Sequence, residues 1–375
     1  MSTFVLVNGI GDTVVAFRGA LVRELVTRGH RVVVSTPRPV EVSAAQVEEA
    51  LRALGAECEF SPLDRTGLNP LSELAARRHY AALFRRTRPD GVFVANPKPV
   101  FHALPAAAAC GVPRRVAMIT GLGYAFIGSS LKARLLRVVA RGLYARAMRA
   151  ATCTLFQNAD DQGYFARTGL LPRGADARIV GGSGVDLEAF PERPVPEGAC
   201  VFLMVARLLG DKGVREYAAA ARLVRAARPA CRFRLVGWID ANPAAIARSE
   251  LDAWTRDGVL EYAGRLDDVR GELAACSVFV LPSYREGAPK STLEALATGR
   301  AVVTTDVPGC RETVEDGVNG LLVPARDARA LADACLRLAD DPAAVARMGA
   351  ASAALARRRF DARLVNAAIA DALGA

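Results

Sequence analysis

The chain has 375 residues, 51% of them hydrophobic, and a formal net charge of +10. That length suggests two domains or three, and no run approaches the roughly 18 apolar residues of a membrane-spanning helix. The basic excess is confined to one half: residues 1–180 hold 24 Lys and Arg against 13 Asp and Glu, residues 181–375 hold 25 against 26. The first half is thereby pointed at a polyanion: nucleic acid, anionic lipid or a phosphorylated acceptor.

The first elements, over residues 4–36, read as strand, loop, helix, strand. Phe4 to Val7 is apolar, Asn8-Gly9-Ile10-Gly11-Asp12 is the turn, and Val32 to Val34 is the second strand. This is a βαβ unit with a glycine-containing first turn, but the third glycine of a dinucleotide fingerprint is missing, which argues against a nicotinamide cofactor. The start lacks the basic end and cleavage site of a secretory leader. Eight scattered cysteines without a Cys-x-x-Cys pair fit a reduced cytosolic protein without structural zinc.

Asn69-Pro70 opens an amphipathic helix after Gly67-Leu68, and Gly91 to Val94 is a strand followed by Asn96-Pro97-Lys98-Pro99. Lys98 thus stands at a strand's C-terminal edge, where open α/β sheets bind ligands. It is one of only four lysines among 49 basic residues (Lys98, Lys132, Lys212 and Lys290). In so arginine-rich a chain, lysine marks positions that need a compact point charge. His102 reads as a helix residue rather than a catalyst. The next strand, Arg115 to Ile119, ends in Thr120-Gly121.

Residues 121–149 combine an apolar loop (Leu122, Tyr124, Phe126) with a helical run carrying Lys132, Arg134, Arg137 and Arg141 and no acid. Apolar surface beside cationic surface suits docking on an anionic membrane. Residues 181–200, rich in Gly and Pro, read as an interdomain linker. The second domain starts with strand Cys200 to Val205, and Arg207 and Lys212 follow it. Two cations on such a loop neutralise a diphosphate leaving group as its bond breaks.

Strand Val278 to Leu281 leads into Ser-Tyr-Arg-Glu-Gly-Ala-Pro-Lys-Ser-Thr-Leu-Glu, residues 283–294. Strand, loop and helix start together make an anion site from unpaired amides and the helix dipole. Glu286 and Glu294 flank it, and carboxylates accept paired hydroxyls of a sugar or a ribose. Residues Gly317 to Val323 read as hairpin-like, and helices fill 327–375.

These residues resemble glycosyltransferase family 4, retaining enzymes of the GT-B fold that use nucleotide sugars. The resemblance rests on Glu286 to Glu294, Ala206-Arg207-Leu208 through Lys212-Gly213, Asp306-Val307-Pro308-Gly309, and Glu315-Asp316-Gly317-Val318-Asn319-Gly320. Gly67-Leu68-Asn69-Pro70, Lys98-Pro99 and Thr120-Gly121-Leu122-Gly123-Tyr124 narrow it to the branch that extends undecaprenyl-diphosphate-linked glycans.

The resemblance implies an α/β chain of two Rossmann-like domains facing across a cleft: 1–182 for the acceptor, 183–355 for the donor, with a helix from about 356 to 375 returning to the first. It implies transfer of a hexosyl or N-acetylhexosaminyl unit, from a UDP-linked donor, without metal or other cofactor. Arg207 and Lys212 would hold the diphosphate, Glu294 the ribose, and Glu286 would sit beside the sugar. Gly287, Ala288, Pro289, Lys290 and Ser291 would complete the donor site, with Arg265 and Leu266 near the base and Ser183 and Gly184 beneath. Gly11, Asp12, Lys98, Thr120 and Gly121 would line the acceptor side, Thr120 standing where other members carry a histidine. The partners expected are a nucleotide sugar, a lipid-linked sugar acceptor and an anionic membrane surface, not nucleic acid. The location expected is cytoplasmic, peripheral on the inner face of the cytoplasmic membrane. Three other classes stay open: transfer to a soluble acceptor, a GT-B sugar-nucleotide epimerase, and a non-catalytic sugar-nucleotide binder.

Overall fold

The computed structural model describes residues 1–64, 69–122, 126, 131–239, 242 and 244–375, with backbone alone at 70 and 131–133. Gly67, Leu68, Gly123 and Tyr124, and the side chain of Lys132, lie outside the described residues. The chain forms two compact units, Met1–Ser183 with Arg363–Ala375, and Gly184–Ala362.

Unit 1 is built on seven strands: β1 (Thr3–Val7), β2 (Arg31–Pro37), β3 (Glu57–Ser61), β4 (Gly91–Ala95), β5 (Arg114–Ile119), β6 (Cys153–Phe156) and β7 (Asp176–Ile179). They pair in the order β3-β2-β1-β4-β5-β6-β7, every ladder parallel. Parallel strands need crossover helices on both faces, so their residues are apolar on both sides. Val5, Val7, Val92 and Val94 pack beneath helices Pro70–Thr87, Pro97–Ala109 and Leu131–Ala150. Phe4, Leu6, Phe93 and Met118 face helix Val14–Thr27 and the C-terminal helix Ala362–Leu373. The strand order reverses between β1 and β4, so the loops after them part and leave a crevice at that edge.

Unit 2 repeats the plan with β8 (Val201–Val205), β9 (Arg232–Val236), β10 (Glu261–Gly264), β11 (Val278–Leu281), β12 (Ala301–Thr305) and β13 (Gly320–Val323). The order is β10-β9-β8-β11-β12-β13, again all parallel. The reversal falls between β8 and β11. Gly317 to Val323 is therefore not a hairpin. Leu321 and Val323 are buried, and β13 gains that burial by running parallel to β12, with Gly320 opposite Val302.

The chain enters unit 2 at Gly184 and leaves it at Ala362. Val185 N donates to Phe360 O at 2.7 Å and Ala362 N to Val185 O at 2.9 Å. Gly184 has φ +70°, and a Cβ there would strike the Ala362 backbone. Residues 356–360 stay with unit 2 because Phe360 is buried in its core, so the return to unit 1 begins beyond them.

Candidate active site

In unit 2 the loop after β8 is anchored by Leu208 and Leu209, both buried, which leaves Arg207 and Lys212 half-buried at its rim. Gly213, at φ +75°, opens the following helix Val214–Ala227. A Cβ at Gly213 would overlap the Pro282 carbonyl, so only glycine lets this loop close onto the end of β11. Tyr284 N donates to Asp211 O at 2.8 Å and fastens the two loops. Lys212 Nζ then lies 2.5 Å from Glu286 Oε1, which also accepts from Ser283 Oγ at 2.7 Å.

Glu286 is held from a third side. Its amide donates to Pro308 O at 3.0 Å, and Gly309, at φ +83°, packs under the Glu286 and Gly287 carbonyls where a Cβ would not fit. Glu312 accepts from Gly309 N at 2.8 Å. The Asp306–Gly309 motif is thus a seat for the Glu286 loop.

Helix Lys290–Ala297 starts beside this pair. Pro289 is its N-cap and supplies no side-chain acceptor, and such a start attracts anions. Glu294 is only 8% exposed. Burial pushes its carboxyl above the usual carboxylate range, and the Lys290 ammonium, 3.7 Å away, pulls it back. Gly287, Ala288 and Ser291 are half-buried on the same loop and first turn, whereas Pro289 is buried. Beyond β9 and β10, the Arg265 guanidinium stacks 4.7 Å over the Trp238 ring, and Leu266 is 36% exposed.

The structure thus brings Lys212, Glu286, the 287–291 segment and Glu294 together at the β8/β11 reversal, with Arg207 on the same loop as Lys212. Ser183 belongs to unit 1 and Gly184 to unit 2. Sequence reasoning passed over Ser283 and Trp238, which carry no motif of their own. The Glu315–Gly320 motif is structural: Asn319 is buried, accepts from Glu315 N at 2.7 Å and donates to Thr313 O at 3.1 Å.

In unit 1, Asn96 sits after β4 at the β1/β4 reversal with φ +74°. It accepts from Gly9 N at 2.9 Å and donates to Thr120 Oγ1 at 3.2 Å. Lys98 Nζ reaches Glu73 Oε1 and Asp64 O, each at 2.7 Å, and His102 bonds the other Glu73 oxygen. Glu73, remote in sequence, was not foreseen. Asp12 is half-buried, and its Oδ1 accepts from the amides of Val40, Glu41 and Val42 at 2.9, 2.7 and 3.3 Å. Gly11 packs on the Pro37 carbonyl and Pro39, and Gly121 takes φ +111°.

The apolar-basic segment is redrawn. Leu122 is 4% exposed and Tyr144 1%, so both are core residues and neither offers surface to a membrane. Phe126 is half-buried, edge-on to Tyr144 and Tyr164, with Arg137 5.9 Å over its ring. The exposed apolar residues lie further along the helix: Leu135 68%, Val138 68% and Val139 54%, with Arg134 and Arg141 exposed beside them. Helix Pro70–Thr87 adds Leu71 at 75%. Among the described residues no helix is long and apolar enough to cross a membrane.

Two family models match: "Glycosyl transferase 4-like domain" over residues 13–173 and "Glycosyl transferases group 1" over residues 199–341. The chain is 29% identical over 344 residues to the N,N'-diacetylbacillosaminyl-diphospho-undecaprenol alpha-1,3-N-acetylgalactosaminyltransferase of Campylobacter jejuni, covering 88% of each chain. It is 35% identical over 162 residues to a putative colanic acid biosynthesis glycosyltransferase of Salmonella typhimurium, covering 40% of this chain and 39% of that one. In fold it is similar to Anabaena HepE, solved with UDP and glucose, at a TM-score of 0.79 and 20% identity over the whole of both chains. Sucrose-phosphate synthase of Thermosynechococcus elongatus gives 0.78 and 19%, over 99% of this chain and 98% of that one.

Proposed function

We propose that the chain, matched by a group 1 glycosyl transferase model in its second half and a 4-like one in its first, moves a hexosyl or N-acetylhexosaminyl unit from a UDP-linked donor to a polyprenyl-diphosphate-linked sugar. Transfer proceeds with retention and without a metal ion, at the inner face of the cytoplasmic membrane, in surface polysaccharide or glycan assembly. The observation that carries this reading is the Lys212–Glu286 pair at 2.5 Å, set at the start of helix Lys290–Ala297.

The chemistry follows from what each group exchanges. When a diphosphate arrives, Lys212 turns from Glu286 to the phosphoryl oxygens, and Glu286 is released to accept sugar hydroxyls. Arg207, Lys212 and the helix start, worth roughly half a positive charge, then oppose the charge that develops on the leaving UDP. Two cations and a dipole end do the work of a divalent ion. Glu294 takes the ribose diol, since a carboxylate accepts two hydroxyl donors side by side. Arg265 and Trp238 lie where the base would rest. The N-acetylgalactosaminyl transfer to a lipid-linked sugar named for the Campylobacter relative supports the acceptor class.

The test is turnover of a UDP-sugar panel with a prenyl-diphosphate-linked sugar acceptor in excess EDTA, reading the product's anomeric configuration by NMR. An α-linked product from an α-donor, at a rate EDTA does not change, is expected. Inversion, or an absolute metal requirement, overturns the corresponding part.

Membrane docking is a second expectation. Residues 91–159 contain no acid, and Leu135, Val138 and Val139 present apolar surface between arginines. Each basic residue near an anionic surface contributes about 1 kcal/mol, so Arg134, Arg137 and Arg141 changed together to Gln should weaken binding to phosphatidylglycerol vesicles on the order of 100-fold. UDP affinity should not move. Sedimentation showing equal vesicle binding would sink the docking face and leave a soluble acceptor.

A further inference from the structure

Arg18 is 4% exposed, yet no carboxylate pairs with it among the described residues. Its Nη2 donates to the Met118 thioether at 3.2 Å, its Nη1 reaches Ser183 Oγ at 3.5 Å, and its Nε has no partner. The guanidinium lies 5.1 Å over the Phe93 ring. Burial alone pulls it down to about 10. A thioether, a distant hydroxyl and a ring face are weak company for a buried cation, which ordinarily keeps an anion or several carbonyls.

The surroundings are short of acceptors in the same way. Gln157, 8% exposed, also spends its amide on Met118 Sδ, at 3.8 Å. Thr36 Oγ1 is buried with no partner. Met118 and Thr36 come from the C-terminal halves of β5 and β2, Phe93 from the middle of β4, Gln157 follows β6, and Ser183 follows β7. The donors therefore gather at the edge where the order of the sheet reverses, the edge at which such sheets take ligands. A concentration of buried N–H and O–H donors short of acceptors suits an oxygen-rich anion.

We infer that Arg18, with Ser183 and Gln157, forms an anion site in unit 1 that takes a phosphoryl group. The planar fork binds two of its oxygens, and the hydroxyl and amide turn to the remaining one. Whether that group belongs to the acceptor's diphosphate or the donor's rests on the glycosyltransferase reading. The site itself does not.

The probe is inorganic pyrophosphate, titrated by calorimetry into the full chain carrying Arg207→Ala and Lys212→Ala, which silences the cations of unit 2. This background should still bind pyrophosphate, and adding Arg18→Met should weaken the affinity at least tenfold. Arg18→Lys, keeping charge but not fork, should fall between. Arg18→Met alone should melt no lower than the unmodified chain, because an unpaired buried charge is replaced by apolar volume. Competition then identifies the source: displacement by UDP assigns the phosphoryl group to the donor, displacement by geranyl diphosphate to the acceptor. No pyrophosphate binding in the background, equal affinity with and without Arg18, a lower melting point for Arg18→Met, or displacement by neither competitor overturns the site.

Discussion

Lys212→Ala is expected to lower kcat at least ~100-fold, the order lost when one stabiliser of developing charge is removed. The loss has two parts. The leaving diphosphate forfeits a cation, and Glu286, whose side chain is only 12% exposed, keeps its charge with Ser283 as its remaining side-chain partner. An unpaired carboxylate beside an incoming diphosphate repels it, so KM for the donor should rise as well. Glu286→Gln in the same chain removes that repulsion but not the missing cation, so the double variant should recover KM while kcat stays low. Steady-state UDP release across the four proteins of this cycle isolates the pairwise coupling. Turnover of Lys212→Ala within about threefold of normal would remove Lys212 from the chemistry. Glu294→Ala should cost a similar factor, through lost purchase on the ribose.

The second large effect concerns stability. Arg300 is fully buried, and its Nη1 donates to Cys276 O at 3.1 Å while Nη2 donates to Arg193 O and Pro194 O, both at 2.9 Å. It stitches the segment entering β8 to the start of β11. Arg300→Met preserves volume but strands the buried Cys276 carbonyl and the part-buried Arg193 and Pro194 carbonyls, at roughly 1–3 kcal/mol for each that water does not reach. A loss of about 4 kcal/mol corresponds to a drop in Tm of about 10 °C for a unit of this size. Turnover per folded molecule should hold, because Arg300 precedes β12 at the edge of the sheet opposite the Lys212–Glu286 pair. A calorimetric scan with Tm shifted by less than about 2 °C would refute the assignment. Arg18→Met and Arg300→Met make the same exchange at two buried sites, yet only the second should lower Tm, because one guanidinium has three carbonyls and the other has none.

That contrast shows how far sequence carries. The α/β plan was legible because parallel strands buried on both faces read as apolar runs, and the donor loop because Glu286 to Glu294 is a local pattern of loop, breaker and helix start. Properties set by neighbours distant in the chain were not. Nothing around Arg18 or Arg300 announces which carbonyls surround it. Leu122 reads as surface beside tyrosine and phenylalanine, but the helices above it make it core. Nothing near Asp12 in the sequence announces that the amides of residues 40–42 bond one of its oxygens. Gly317 to Val323 looked like a hairpin because the strand it pairs with lies outside the segment. Glu73 joins Lys98 and His102 only because helices Pro70–Thr87 and Pro97–Ala109 pack side by side.

The paired amides of Val185 and Ala362 make the 184–362 segment a cassette whose two ends coincide. In topology it is a continuous segment between Ser183 and Arg363 of unit 1, its entry and exit side by side. A graft exchanging it between relatives has to keep the glycine at one lip, because a side chain there would meet Ala362 at the other.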